Sequence, residues 1–127
     1  MKPTIQLFKA DSFSADDTGT LTLPNDADPR EAALDGVHTV QLQFPSFADG
    51  RAFSQAFLLR RRLGFTGQIR AIGDVLIDQL AQMQRSGFTQ AVLRADQSIE
   101  HGQKLLAQYD AYYQGDAVDT RPHFAHA

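Results

Sequence analysis

A chain of 127 residues, 43% apolar and 21% charged, is the size of a single domain, and such a chain buries roughly two thirds of the surface it exposes when unfolded. The formal charge of −3 argues against a general nucleic-acid binder, which needs a clustered positive surface. The absence of cysteine excludes disulfides, thiolate nucleophiles, Cys-ligated iron–sulfur clusters and Cys-rich zinc sites within the chain.

In chain order, residues 1–36 read as an N-terminal arm or hairpin. MKPTIQLFKADSF has neither a continuous apolar core nor a small-residue cleavage site, so a signal peptide is not expected and a cytoplasmic location is. Ile5–Phe8 and Thr20–Leu23 are short β-prone runs separated by the turn-rich ADSFSADDTG, which reads as an irregular hairpin covering a sheet edge, or as an arm docking on a second subunit. Asp28 as N-cap, Pro29 in the first turn and Gly36 as terminator then mark a short helical segment.

From Val37 the pattern becomes regular. VHTVQLQF alternates, with His38, Val40, Leu42 and Phe44 on one face, and further strands are expected at Gln68–Ile72 and Gln90–Leu93. Between them lie helical stripes. Ala52, Ala56, Leu59 and Leu63 form the first, flanked by Phe53 and Phe57. Leu76, Leu80 and Met83 form the second, and Ile99, Leu105, Leu106, Tyr109 and Tyr113 a third. The pentapeptide R-x-G-F-T occurs at Arg62–Thr66 and again 23 residues later at Arg85–Thr89. It places Gly64 and Gly87 as left-handed helix stops, each followed by a Phe that folds back on the last turn. Asp49, Asp74 and Asp96 or Ser98 stand where the helices need N-caps. The expected fold is α/β: a small three-layer β-α-β-α-β-α unit with a three- to four-stranded, mainly parallel sheet over residues 37–114, and a flexible tail at 115–127.

In such a sheet ligands bind beyond the C-terminal strand ends, a rim made here by Pro45–Arg51, Gly73, Asp74 and Arg94–Ser98. Seven of the nine arginines lie between Arg51 and Arg94. Arg51 at a helix start opposes the dipole unless a carboxylate or a bound anion compensates, so it reads either as an anion or partner contact or as the partner of Asp49 or Asp74. Arg70, inside the strand QIRAI, must pair with a buried acid such as Asp74 or Asp78, or face a pocket. Arg60, Arg61 and Arg62 fan around a helix, with Arg60 nearest the apolar stripe.

Other chemistry has no motif. Neither G-x-G-x-x-G nor a phosphate loop occurs. Of His38, His101, His123 and His126, only the last two have a metal-like spacing, and no metal site is expected. Ser46 and Ser54 lack a G-x-S-x-G context, and no catalytic residue is assigned.

The string F-P-x-F-x-D-G-R-x-x-S (Phe44, Pro45, Phe47, Asp49, Gly50, Arg51, Ser54), Leu59-Arg60, G-F-x-G-x-I-R-A-x-G-D (Gly64–Asp74), Asp78-Gln79 and R-x-G-F (Arg85–Phe88) resembles a bacterial domain-of-unknown-function family over residues 37–114. Its members are commonly labelled probable oxidoreductases involved in sulfite reduction, and their genes stand beside those of sulfite reductase and of the reductase acting on activated sulfate. The resemblance implies a role in assimilatory sulfate reduction. With no cysteine and no cofactor motif, no cofactor is expected, and the oxidoreductase label reads as inherited from the gene neighbourhood.

Three readings follow. The first is a non-catalytic accessory protein binding sulfite reductase or its electron donor, with Asp49, Arg51, Ser54, Arg60, Arg70 and Asp74 as the anion- or partner-binding set. The second is a small-anion site or enzyme on the same Arg/Asp rim. The third is a homodimer packed through a sheet edge or through Tyr109, Tyr112 and Tyr113. Neither nucleic acid nor membrane is an expected partner.

Overall fold

The structure, a computed structural model, describes residues 5–10, 18–46 and 48–118, the side chains of 109–118 apart. Five strands form one sheet: β1 (Gln6–Phe8), β2 (Thr20–Leu23), β3 (Thr39–Phe44), β4 (Gln68–Gly73) and β5 (Gln90–Val92). Every neighbouring pair is parallel, in the order β1-β5-β4-β3-β2. A 3-10 turn, Pro29–Glu31, links β2 to β3, with the Asp28 carboxylate accepting from Arg30 N at 3.0 Å. Helix α1 (Arg51–Phe57) runs on into a π-helical stretch, Leu58–Arg62. Helix α2 (Leu80–Ser86) is entered through a 3-10 turn, Ile77–Gln79, and α3 (Ile99–Val118) follows β5.

Strand alternation and the register set the core. Val40, Leu42 and Phe44 of β3, Ile69 and Ala71 of β4, and Ala91 and Leu93 at β5 belong to one buried cluster with Ala52, Ala56 and Leu59, with Leu80 and Met83 of α2, and with Leu106 of α3. The rings of Phe44, Phe53 and Phe88 join this cluster, with centroids 5.1, 5.8 and 6.3 Å apart. On the β1 side, Gly102 lets α3 approach Leu7, Ile77 and Leu80 closely. The strands from β2 to β5 are laid down in one direction, so right-handed crossovers bring the connecting helices to the same face.

The α/β class and the parallel sheet agree with the sequence reading, and six details differ. The sheet has five strands rather than three or four. Residues 5–8 and 20–23 do not form a hairpin: β1 pairs with β5 and β2 with β3, at opposite edges of the chain's own sheet. Neither strand is a free arm. Among the described residues the helices pack on one sheet face, so two layers replace the expected three. Leu63 leaves the apolar stripe because the π-helical turn, with Leu63 N donating to Leu58 O at 3.0 Å, rotates it off the core side. His38 also falls outside its expected strand, which starts at Thr39. Helix α3 runs past Gln114 to Val118.

Both pentapeptide turns stop a helix as expected. Gly64 and Gly87 have φ of 66° and 111°. Phe88 N donates to Met83 O at 3.0 Å and Phe65 N to Leu59 O at 2.8 Å, the second ring being one residue wider.

At the far end of β4, Gly73 has φ +99° and a Cβ there would lie 2.5 Å from Phe44 O. Gly73→Ala is expected to cost about 3 kcal/mol, from left-handed strain plus the displaced backbone. Chemical denaturation of the two proteins measures it, and a loss below about 1 kcal/mol would contradict this account of the turn.

Candidate functional site

The rim beyond the C-terminal strand ends is built of ion pairs. Gly50 stands at the α1 N-cap, and Asp49 acts from one residue earlier. Its Oδ1 accepts from Arg51 N at 3.0 Å, its Oδ2 from Arg51 Nη2 at 3.1 Å, and Asn25 Nδ2 donates to Oδ2 at 2.6 Å. The Arg51 N–H, then its guanidinium, hold the Asp49 carboxyl below the usual range. Arg51 itself is exposed.

Asp74 is not a helix cap. Its backbone N donates to Phe44 O at 2.7 Å, closing the β3–β4 end, and its Oδ1 accepts from Arg94 Nη1 at 2.6 Å. Arg94 also grips Asp96 with two bonds, at 2.6 and 2.8 Å. The Arg94 guanidinium holds the Asp96 carboxyl down to about 2, and Asp96 first, then Asp74, push Arg94 up. Ser98 caps α3, accepting from His101 N at 3.1 Å.

Arg70 lies away from this rim. It projects from β4, the central strand, on the sheet face opposite the core and is only 6% exposed. The register aligns Thr22, Gln41, Arg70, Gln90 and Gln6 in one row across all five strands. Gln41 Nε2 donates to Thr22 Oγ1 at 2.8 Å, Arg70 Nη1 donates to Gln41 Oε1 at 2.7 Å, and Arg70 Nε donates to Gln90 Oε1 at 2.8 Å. Two amide oxygens from the neighbouring strands therefore receive the guanidinium. The signal was present in the alternation, since Gln41 and Gln90 share Arg70's face.

Arg60 is at the opposite end of the sheet and is structural. Its Nε donates to Gly87 O at 3.0 Å, and its Nη1 donates to Phe65 O at 2.9 Å and Gly67 O at 2.6 Å. Its stem lies against Gly87, where an added Cβ would meet Arg60 Cγ at 2.5 Å. The side chain thus ties the two pentapeptide turns together, and burial pushes its pKa down.

Ser54 is exposed on α1. The structure therefore brings Asp49, Arg51 and Asp74 to one rim and separates Arg60 and Arg70 from it. Two grooves of about 580 Å³ run beside α3, one over β1 and one at the helix start by Lys9, Arg94 and Ser98. Arg94 and Ser98 of the expected rim line the second, and Asp49, Arg51, Ser54, Arg60, Arg70 and Asp74 line neither. Among the described residues no group of three or more His, Asp or Glu is placed to hold a metal ion, and no helix is long and apolar enough to cross a membrane. His123 and His126 lie outside the described residues, as do the side chains of Tyr109, Tyr112 and Tyr113.

The family described as bacterial protein of unknown function (DUF934) matches residues 20–124, from β2 through α3. The chain belongs to this family. The match contains the whole 37–114 span on which the motif string lies and extends over β2 before it. No curated protein and no solved structure matches the chain.

Two outcomes follow from this geometry. Arg60→Ala is expected to destabilise the fold by about 3 kcal/mol, because three carbonyls lose a charged donor. Arg60→Lys recovers less than half of that, since an ammonium cannot span the same fork. Denaturation midpoints decide it, and a neutral Arg60→Ala would refute the clamp. At the rim, the Asp96 carboxyl is held below its ordinary value of 3.8, so its contribution is present above 3.8 and is lost as pH falls through about 2. Carboxyl carbon NMR should show the Asp96 midpoint near 2, returning toward 3.8 in Arg94→Gln. A midpoint unmoved by the substitution would contradict the pairing.

Proposed function

We propose that this protein is a non-catalytic accessory component of assimilatory sulfate and sulfite reduction. In this reading it works in the cytoplasm and binds a sulfite reductase component or its electron donor through the rim that carries Arg51 and Arg94. The pathway comes from the family resemblance carried by the motif string. The mode of action rests on one observation: the charged groups are distributed over the rim, the second sheet face and the opposite sheet end, and the rim cations stand against carboxylates on exposed surface. Catalysis on a small molecule calls for convergent groups around a reacting atom in a cleft. Docking calls for exposed, preorganised charge, which guides encounter and sets register. A small-anion site at the same rim would require Arg51 and Arg94 to release their carboxylates, so it is the weaker reading.

The test is affinity capture of the tagged full chain from its own cells grown on sulfate as sole sulfur source, followed by mass spectrometry. A sulfite reductase component should co-elute, and be lost when Arg51 and Arg94 are both changed to Glu. Recovery of the chain alone, or only with itself, overturns the reading.

A further inference from the structure

The segment from Arg51 to Arg62, α1 with its π-helical continuation, contains four arginines and no acidic residue, in a chain of formal charge −3. Its inner side, Ala52, Gln55, Ala56 and Leu59, is buried. The opposite side exposes Arg51, Ser54, Phe57, Arg61 and Arg62. Phe57 and, just past the helix end, Leu63 are the exposed large apolar side chains among the described residues, at 49% and 37%. The Arg61 guanidinium lies over the Phe57 ring, 5.3 Å from its centroid. Arg30, Arg51 and Arg94 each rest against a carboxylate. Arg61 and Arg62 make no ion pair among the described residues.

We infer that Phe57, Arg61, Arg62 and Leu63 form a docking surface for an acidic segment of a partner protein that carries an apolar anchor. Charge complementarity sets the occupant. Two uncompensated guanidiniums beside an exposed aromatic ring offer forked donors to carboxylates and an apolar seat between them. An aromatic side chain of this kind, already braced by a stacked cation, is the usual anchor of an interface centre. A membrane surface fits less well. A helix lying in a bilayer interface needs an apolar face along its length, and here that face is turned to the protein core. A nucleic acid would meet an acidic protein around the patch. The inference deepens the accessory reading by naming a second surface and its partner's chemistry.

The test titrates the isotope-labelled full chain with a synthetic acidic peptide in which Leu and Phe recur at helical spacing among Glu and Asp. NMR maps the site and fluorescence anisotropy gives the affinity. Saturable binding should shift the amides of residues 54–63 and weaken as salt rises. Phe57→Ser, and Arg61→Glu combined with Arg62→Glu, should each weaken it by about tenfold or more. Arg85→Glu, an exposed arginine of the other pentapeptide, should leave affinity unchanged, and thermal melting confirms that each variant is folded. The inference fails if shifts map elsewhere, or if Arg85→Glu has the same effect as the other charge reversals. It also fails if the chain binds anionic phosphatidylserine vesicles or duplex DNA but not the peptide, or if it self-associates through Phe57. The peptide contains no sulfite reductase sequence, so this test and the capture experiment succeed or fail separately.

Discussion

The order in which the strands are laid down governs the rest of this molecule. From β2 to β5 each strand is added on the same side of the one before. Right-handed connections then deliver α1 and α2 to one face of the sheet, where α3 joins them. A parallel sheet covered on both faces reads as continuous apolar strands. Among the described residues the second face instead carries a hydrogen-bonded row of Thr, Gln and Arg side chains, with Phe8, Ile72 and Val92 beside it. Arg70 at the centre of that row is tolerated because amide oxygens from both neighbouring strands meet its guanidinium, so its charge is solvated by protein rather than left bare. The outer face of α1 and its π-helical continuation is exposed, and Arg61 and Arg62 stand there with no ion pair among the described residues.

The repeated pentapeptide shows how a local motif acquires a tertiary role. Counting back from each R-x-G-F-T, Arg60 and Met83 occupy the same position. Met83 takes the expected place in the core, fully buried. Arg60 is only partly buried, in a segment that is π-helical. From there Arg60 reaches the carbonyl ends of its own turn and of the other copy. The wide turn that accompanies this clamp carries Leu63 out of the core.

Much of this was legible in the chain. Strand alternation at 39–44, the two glycine stops and the α3 cap, expected at Asp96 or Ser98 and made by Ser98, follow local pattern. The errors share one cause. The pairing of β1 with β5 joins residues more than eighty apart in the sequence, and no local signal separates two parallel edge strands from a hairpin. Gly73 ends β4, so Asp74 could be taken for a cap from its spacing. Its use by Arg94 depends on β5 lying beside β4. Arg70 reads as a buried charge needing partners, and two glutamines from across the sheet, invisible to sequence spacing, receive its guanidinium.

The candidate residues are alike in type and near in sequence, and the fold divides them by mechanism. Arg60 serves folding, and Arg70 organises a sheet face. Asp49, Arg51, Asp74 and Arg94 make a rim whose charges are already matched. A group held in a chelate pair is poorly placed to act as general acid or base, because the partner that fixes its position also fixes its protonation state across the working pH range. Asp96, held near 2 by Arg94, is the clearest instance. What such pairs do well is present a fixed pattern of charge, which favours recognition over turnover. By the same reasoning, the surface with most left to gain from a partner is one whose cations are unmatched and whose aromatic ring is half in water, and that description fits the outer face at Phe57 and Arg61.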